Sequence, residues 1–312
     1  MTATLTPTRL VRDPRAQFGL TVTDLLDEDY STALVWAEIS GRFFDEAVRR
    51  HPHRVVNVGI REQLLVNVGA GFALTGMRPV VHTFGTFLVE RGFEQIKLGF
   101  GHQGLGGVLV GGGGSFDASR GGRTHQAPGD VALMDTLPDV VVHAPGTAAE
   151  ADEVLRRAVA GDGLHYVRIV EQTNTESFSG PGLHVVRRGS GATVIALGPV
   201  LDDVLAATAD RDVTVLYAHT VRPFDAATFR AVLARPDVVL VEPWLAGTSA
   251  RVVSDALRDV PHRLLSLGTR RMELRHYGTP AEHQRAHGLD AAGIRRSLES
   301  FLDGPASGRT QR

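Results

Sequence analysis

A single acid, Glu62, stands in the segment NVGIREQLLVNVGAGFALTG (57–76), where most of its neighbours are apolar or small. Glutamate is rarely buried without a partner. It therefore either caps a helix start and faces water, or is held in a dry site by a group it must touch. His125, in GGRTHQAPGD, closes a glycine-rich stretch, GGGGSFDASRGG (111–122). An imidazole there could hydrogen-bond or exchange a proton with a substrate within reach; a lone histidine in a polar loop is otherwise simply solvated. No second His, Glu or Asp sits beside it at metal-ligand spacing, so no metal site is expected. Phe84 and Phe87, three apart in FGTFLVERGF, suit either core packing or a platform for a flat ring, the latter adding about 0.5–1.5 kcal/mol beyond area burial.

These residues need a scaffold, and apolar strand-like runs alternate with helical ones along the whole chain. STALVWAEI (31–39), RVVNV, RPVVHTF, GGVLVGGGG, DVVVHAP and LHYVRIV read as six strands. RFFDEAVRRH, the segment from Arg61, FLVERGFEQIKLGF and TAAEADEVLRRAVAG read as helices between them, the last with Thr147 as N-cap. QTNTESFSGPG (172–182) is polar and aperiodic and reads as a linker. A second alternating set follows in ATVIALG, DVTVLYA, DVVLVEP and HRLLSLG, closed by AAGIRRSLESFL. The expectation is an α/β protein of two doubly wound domains, 15–172 and 183–303, each on a mostly parallel sheet. The tail GPASGRTQR has nothing apolar to bury and is expected to be disordered.

The glycine-rich loop follows a strand directly, where backbone can approach a ligand at the carboxyl end of a sheet. It matches neither a Walker loop nor a dinucleotide fingerprint, lacking Lys-Ser/Thr for the first and GxGxxG with its helix for the second. The 312 residues carry a formal net charge of −2, with 43% hydrophobic and 22% charged residues. That balance gives no electrostatic reason to expect nucleic acid or an anionic membrane as partner. No apolar run approaches the ~18 residues of a spanning helix, and MTATLTPTRLVRDPR lacks a signal-peptide core. The chain has no cysteine, hence no disulfide or thiolate chemistry, and a cytoplasmic setting is expected.

Taken in order, NVGIREQ, FGTFLVERGFEQ, GGRTHQAPGDVALMDTLPDVVVHAPGTAAEA, YVRI, TVRPFD and YGTPAEHQRAHGLDAAGI resemble successive segments of transketolases and 1-deoxyxylulose-5-phosphate synthases, over roughly residues 15–303. The resemblance covers the pyrimidine-binding and C-terminal domains only. It implies thiamine diphosphate as cofactor, with Mg²⁺ held by a partner: a pyrophosphate-binding subunit carrying a GDG…N motif, in an α₂β₂ assembly. GDG at Gly161 to Gly163 is not that motif, because the Asn that should close it some 25–30 residues on is missing; it reads as a turn.

In the resemblance, Glu62 matches the acid that shares a proton with the cofactor's pyrimidine nitrogen N1′, and Phe84 and Phe87 match aromatic residues stacked on that ring. Gly69 and Gly71 would let the Glu62 helix approach the partner closely. His125 matches a histidine that stabilises charge on the donor sugar's oxygen, and Arg168 an arginine that grips a substrate phosphate. Some matches fail. Where transketolases show Asp-Gly-Pro before THQ, this chain has Gly121, Gly122 and Arg123; a donor-side histidine falls on Gly113, and a third aromatic on Glu90. The implied function is the pyrimidine-binding subunit of a split, transketolase-type enzyme moving a two-carbon ketol unit from a ketose, expected to be phosphorylated, to an acceptor, active only with its partner. Two alternatives are a 2-oxoacid dehydrogenase beta-type subunit passing an acyl group to a lipoyl or carrier domain, and a non-catalytic scaffold subunit of the same fold.

Overall fold

The computed structural model describes residues 10–275 and 277–303; the tail 304–312 lies outside the described residues. Six strands come first: β1 (Thr32–Trp36), β2 (Val55–Asn57), β3 (Arg78–Phe84), β4 (Gly107–Gly112), β5 (Val141–His143) and β6 (Leu164–Ile169). Six more follow: β7 (His184–Arg187), β8 (Thr193–Leu197), β9 (Thr214–Ala218), β10 (Thr220–Arg222), β11 (Asp237–Leu245) and β12 (Arg263–Thr269). They form a seven-stranded sheet, β10-β5-β6-β4-β3-β1-β2, and a five-stranded sheet, β12-β11-β8-β9-β7.

Both sheets are parallel except at one edge each, where β10 and β7 run antiparallel. Every residue of β1, β4 and β6 is buried, as expected of parallel strands covered by helices on both faces. The fold is thus mostly parallel α/β. The ten strands read in the sequence are all present. The two antiparallel edges, β7 and β10, are additional, being short and without a long apolar run.

β10 crosses the expected division of the chain. It lies among the residues of the second half yet pairs with β5 of the first sheet, Thr220 opposite His143. The segment 172–182 is without helix or strand, but it is tied down along its length. Asn174 Oδ1 accepts from the Leu201 amide, Asp202 accepts from Thr175, and the Phe178 amide donates to Glu150. It is a strap rather than a loose linker.

A helix not anticipated from the sequence, Pro14–Glu28, opens the described chain. Asp13 caps it by accepting from the Arg15 amide, and Pro14 occupies the first turn, where its missing N–H is harmless. Its buried Phe18, Val22, Leu25 and Leu26 form one stripe at helical spacing. Thr147 caps the helix Ala148–Ala160 as expected, accepting from the Glu150 amide. Gly161 to Gly163 then turn the chain into β6. Among the described residues no helix is long and apolar enough to cross a membrane.

Candidate functional site

Glu62 is the first residue of the helix Glu62–Leu74, in the turn where unpaired amides and the helix dipole favour an anion. It is nonetheless 2% exposed. Both readings therefore hold a part of the truth: a helix start, but a dry one. What it touches is Arg91, whose Nη1 donates to Glu62 Oε2 at 2.7 Å.

Arg91 comes from the segment after β3, which is helical with wide π-type turns at Thr86–Arg91 and Ile96–His102. Such turns are uncommon and recur at functional sites. The Arg91 guanidinium also lies over the Phe87 ring, 4.3 Å from its centroid. Phe87 meets Phe84, at the end of β3, edge to face with centroids 5.9 Å apart. His125 completes the group, 5.5 Å from Phe84 and 5.2 Å from Phe87. Glu62, Arg91, Phe87, Phe84 and His125 are thus one continuous chain of contacts.

The His125 ring is oriented through Nδ1, which lies 3.2 Å from Gly121 O and 3.0 Å from Thr124 Oγ1. A carbonyl only accepts, so the proton is assigned to Nδ1 and Nε2 keeps its lone pair. Nε2 has no hydrogen-bond partner among the described residues. The two glycines that depart from the resemblance have a steric basis. A Cβ on Gly121 would lie 2.6 Å from His125 Cγ, so the ring occupies the space a side chain would need. Gly113 has φ +70° and would place a Cβ 3.2 Å from Phe84 Cδ1. Glu90, at the third aromatic position, is exposed and accepts from Thr86 Oγ1.

Phe84 is also the link to a cavity of about 360 Å³. Phe84, Gly112 and Ile169 stand level with one another at the carboxyl ends of β3, β4 and β6, and all three line it, with His82, Ser40 and Arg15. This is the crevice in which open α/β sheets bind ligands. His82 is held from both sides, by Val110 O and by Ser40 Oγ. Burial lowers its pKa to about 4, so it is a neutral donor–acceptor at ordinary pH.

Arg168 departs from its expected role. It is 1% exposed, and its Nε donates to the fully buried Asp130 at 2.7 Å. Asp130 also accepts from Tyr166 Oη, Ser115 Oγ accepts from Arg168 Nη2, and the Trp244 ring lies 5.1 Å away. A guanidinium so enclosed and paired is not presented to a substrate phosphate in this chain; it ties β6 to the helix Asp130–Met134 and to β11. The partner-facing expectation for two glycines also divides. A Cβ on Gly69 would lie 2.5 Å from Val81 Cγ2, so Gly69 lets the helix sit on its own sheet, whereas Gly71 faces open space.

A buried acid linked through Arg91 to the Phe87 and Phe84 rings offers the kinds of groups, a hydrogen-bonding carboxylate and aromatic faces, that could hold an aminopyrimidine ring. Arg91 is the residue that sequence reasoning missed. It lies in the aromatic-bearing segment FGTFLVERGF, but its partner is 29 positions earlier, and nothing local marks such a pair.

The family described as "Transketolase, pyrimidine binding domain" matches residues 12–175. The uncharacterized 33.6 kDa protein in the fasciation locus of Rhodococcoides fascians is 49% identical over 291 residues, covering 91% of this chain and 93% of that protein. The 1-deoxy-D-xylulose-5-phosphate synthase of Alkalilimnicola ehrlichii is 31% identical over 308 residues, covering 92% of this chain but 47% of the enzyme. The chain thus spans about half the length of that synthase. Among solved structures, one described as "Split gene transketolase, inactive beta4 tetramer" superposes with a TM-score of 0.82 at 23% identity, covering 94% of this chain and 99% of that one. At that identity the likeness speaks for the fold alone. The family match over more than half of the sequence, with the synthase identity along nearly all of it, means that this chain belongs to the transketolase family.

Proposed function

We propose that the chain is the pyrimidine-binding component of a two-chain, thiamine-diphosphate-dependent enzyme of transketolase type, which moves a two-carbon ketol unit from a ketose to an acceptor. The observation that carries this is Glu62: a carboxylate nearly without solvent at the start of a helix, in contact through Arg91 with the Phe87–Phe84–His125 rings.

Thiamine diphosphate, when bound, would supply a carbon nucleophile for the transfer. Glu62 would hydrogen-bond the pyrimidine nitrogen N1′ of that cofactor, and exclusion of water would strengthen the bond. Phe84 and Phe87 give the pyrimidine an apolar wall. His125 offers Nε2 to the donor sugar. Arg91 is bonded to Oε2 of the Glu62 carboxylate, so the acid is already held in place at the helix start.

The need for a second chain is supported by the surface next to the site. Ile60 is 71% exposed and Leu74 67%, with Leu64 and Leu98 also exposed. Ile60 precedes the Glu62 helix, Leu64 and Leu74 lie on it, and Leu98 follows in the π-turn segment. Leu74 stands at the far end of that helix, about 18 Å along it from Glu62, so the apolar surface at the acid end is Ile60 and Leu64, which suit a partner that closes over it. The partner we assign is a pyrophosphate-binding subunit that carries the GDG…N motif and the Mg²⁺ ligands, in an α₂β₂ arrangement. The description of the structural neighbour as a split-gene transketolase, inactive as a β₄ tetramer, is in keeping with this reading.

Calorimetric titration of the chain with thiamine diphosphate and Mg²⁺, alone and after adding that partner, tests it. Weak or no binding alone and tight binding with the partner is expected, because the pyrimidine contacts by themselves must offset the entropy of immobilising the ligand. Micromolar binding by the isolated chain would overturn the split reading. In the assembled enzyme, Glu62→Gln should slow exchange of the thiazolium C2 proton by orders of magnitude. An unchanged rate would remove Glu62 from its role.

A further inference from the structure

The turn that carries His125 has a second face. Arg123 and Gln126, on either side of Thr124 and His125, line a pocket of about 320 Å³ closed on its other side by Leu245, Thr269, Arg270, Arg271 and Met272. It lies between the loop after β4 and the segment that follows β12. Its volume is that of a site for a small organic molecule rather than for a lone ion.

Three arginines, Arg123, Arg270 and Arg271, line the pocket together with one carboxylate, Glu273. Glu273 lies 3.4 Å from Arg123 Nε. Arg270 Nη2 donates to the Ala286 carbonyl, a neutral acceptor that leaves its charge uncompensated. Arg271 is exposed and has no hydrogen bond or ion pair among the described residues. Gln126, 5% exposed, has a buried side-chain nitrogen, Nε2, with no acceptor. Buried donors are normally paired, so this amide has a hydrogen bond to offer a ligand when it turns toward the pocket that its residue lines.

We propose that this pocket binds a phosphate-bearing small molecule, its oxyanion held by Arg270 and Arg271 with Arg123, and with Gln126 as the neutral donor. Planar guanidinium forks suit a tetrahedral oxyanion. Glu273 occupies Arg123 while the site is empty and competes with the ligand. Because Arg123 and His125 share one short helical turn, Arg123–His125, occupancy of the pocket fixes the backbone that presents the His125 ring. The phosphate belongs either to the enzyme's own substrate or to a separate effector.

The binding claim stands apart from the proposed function and is tested first by titrating the full chain with inorganic phosphate in a calorimeter. Saturable millimolar or tighter binding is expected, weakened about tenfold by Arg270→Ser or by Arg271→Ser and tightened by Glu273→Gln. Binding that is absent, or unchanged in the Arg270→Ser/Arg271→Ser double variant with its fold intact by circular dichroism, overturns the proposal. The second step uses the assembled enzyme and rests on the transferase reading. If the substrate supplies the phosphate, the double variant raises KM for phosphorylated ketoses alone. If an effector supplies it, added phosphate changes turnover of unphosphorylated ketoses in the parent enzyme and not in the double variant.

Discussion

Arg91 reaches Glu62 at 2.7 Å across the start of a helix, so this nearly solvent-free acid is paired with an arginine that is itself 43% exposed. A contact of that kind is releasable: the arginine can return to water, while the carboxylate cannot. In the isolated chain Arg91→Ala should therefore destabilise by about 1–3 kcal/mol, the penalty for a buried group losing its partner. Urea unfolding of Arg91→Ala, Glu62→Gln and the double variant measures the coupling. Additive effects of the two substitutions would show that the pair carries no energy of its own.

Restoring an aspartate at position 121, as the resemblance would suggest, should harm rather than help. The Cβ would fall on the His125 ring, and the imidazole would have to leave its edge contacts with Phe84 and Phe87. Gly121→Asp is expected to shift the His125 ring resonances in NMR and to lower turnover of the assembled enzyme at least tenfold, about 1.4 kcal/mol of barrier. Higher turnover would mean that the ring has room elsewhere.

Arg168→Met should act on stability. Removing one member of a buried pair leaves Asp130 uncompensated, which costs about 3–5 kcal/mol. Adding Asp130→Asn should recover a good part of that loss, measured as the urea midpoint. A fold of unchanged stability, with a KM defect confined to phosphorylated substrates, would return Arg168 to the phosphate role.

His219 supplies a pH dependence. It is fully buried, neither ring nitrogen has a hydrogen-bond partner, and burial, helped by Arg157, lowers its pKa to about 4. Glu153 opposes that shift, and His184 stacks on the ring at 5.8 Å. Between pH 4 and 6.5 the unfolded chain holds a proton that the folded chain refuses, so stability is lost as pH falls through that window. His219→Phe should remove about 2–3 kcal/mol of the loss between pH 7 and 4.5. Glu242, raised by burial to about 7, acts in the opposite sense, since the folded chain holds its proton above the unfolded value. Comparing parent and variant at each pH cancels that contribution. Parallel pH profiles for the two proteins would exclude His219 as the source.

The parallel strands were legible because each is a short apolar run such as TALVW or TVIAL bounded by turn residues. β7 and β10 were not, because HVVR and TVR are too short to show a period and owe their pairing to strands far away in sequence. The Pro14–Glu28 helix did carry a signal, Asp13-Pro14 followed by apolar residues at helical spacing, which the strand-first reading passed over. At the site, residue types alone marked Glu62, Phe84, Phe87 and His125, and their roles came from the resemblance. Their proximity is a matter of tertiary geometry: three rings from β3, a π turn and a distant loop. The inward pairing of Arg168 with Asp130 was not legible, because a strand-borne arginine looks the same in sequence whether its fork faces a ligand or a buried aspartate.

β10 gives the chain an order of assembly. During synthesis the first six strands emerge well before Thr220, and until then β5 is an open margin with unpaired amides and carbonyls. Open margins of this sort invite pairing with a neighbouring nascent chain. Cutting the gene within 172–182 would therefore not yield two self-sufficient pieces, because the amino-terminal product would lack its last strand. An engineer wishing to shorten or transplant the amino-terminal sheet would have to carry residues 220–222 along with it, rejoined by a new tether at the margin of β5.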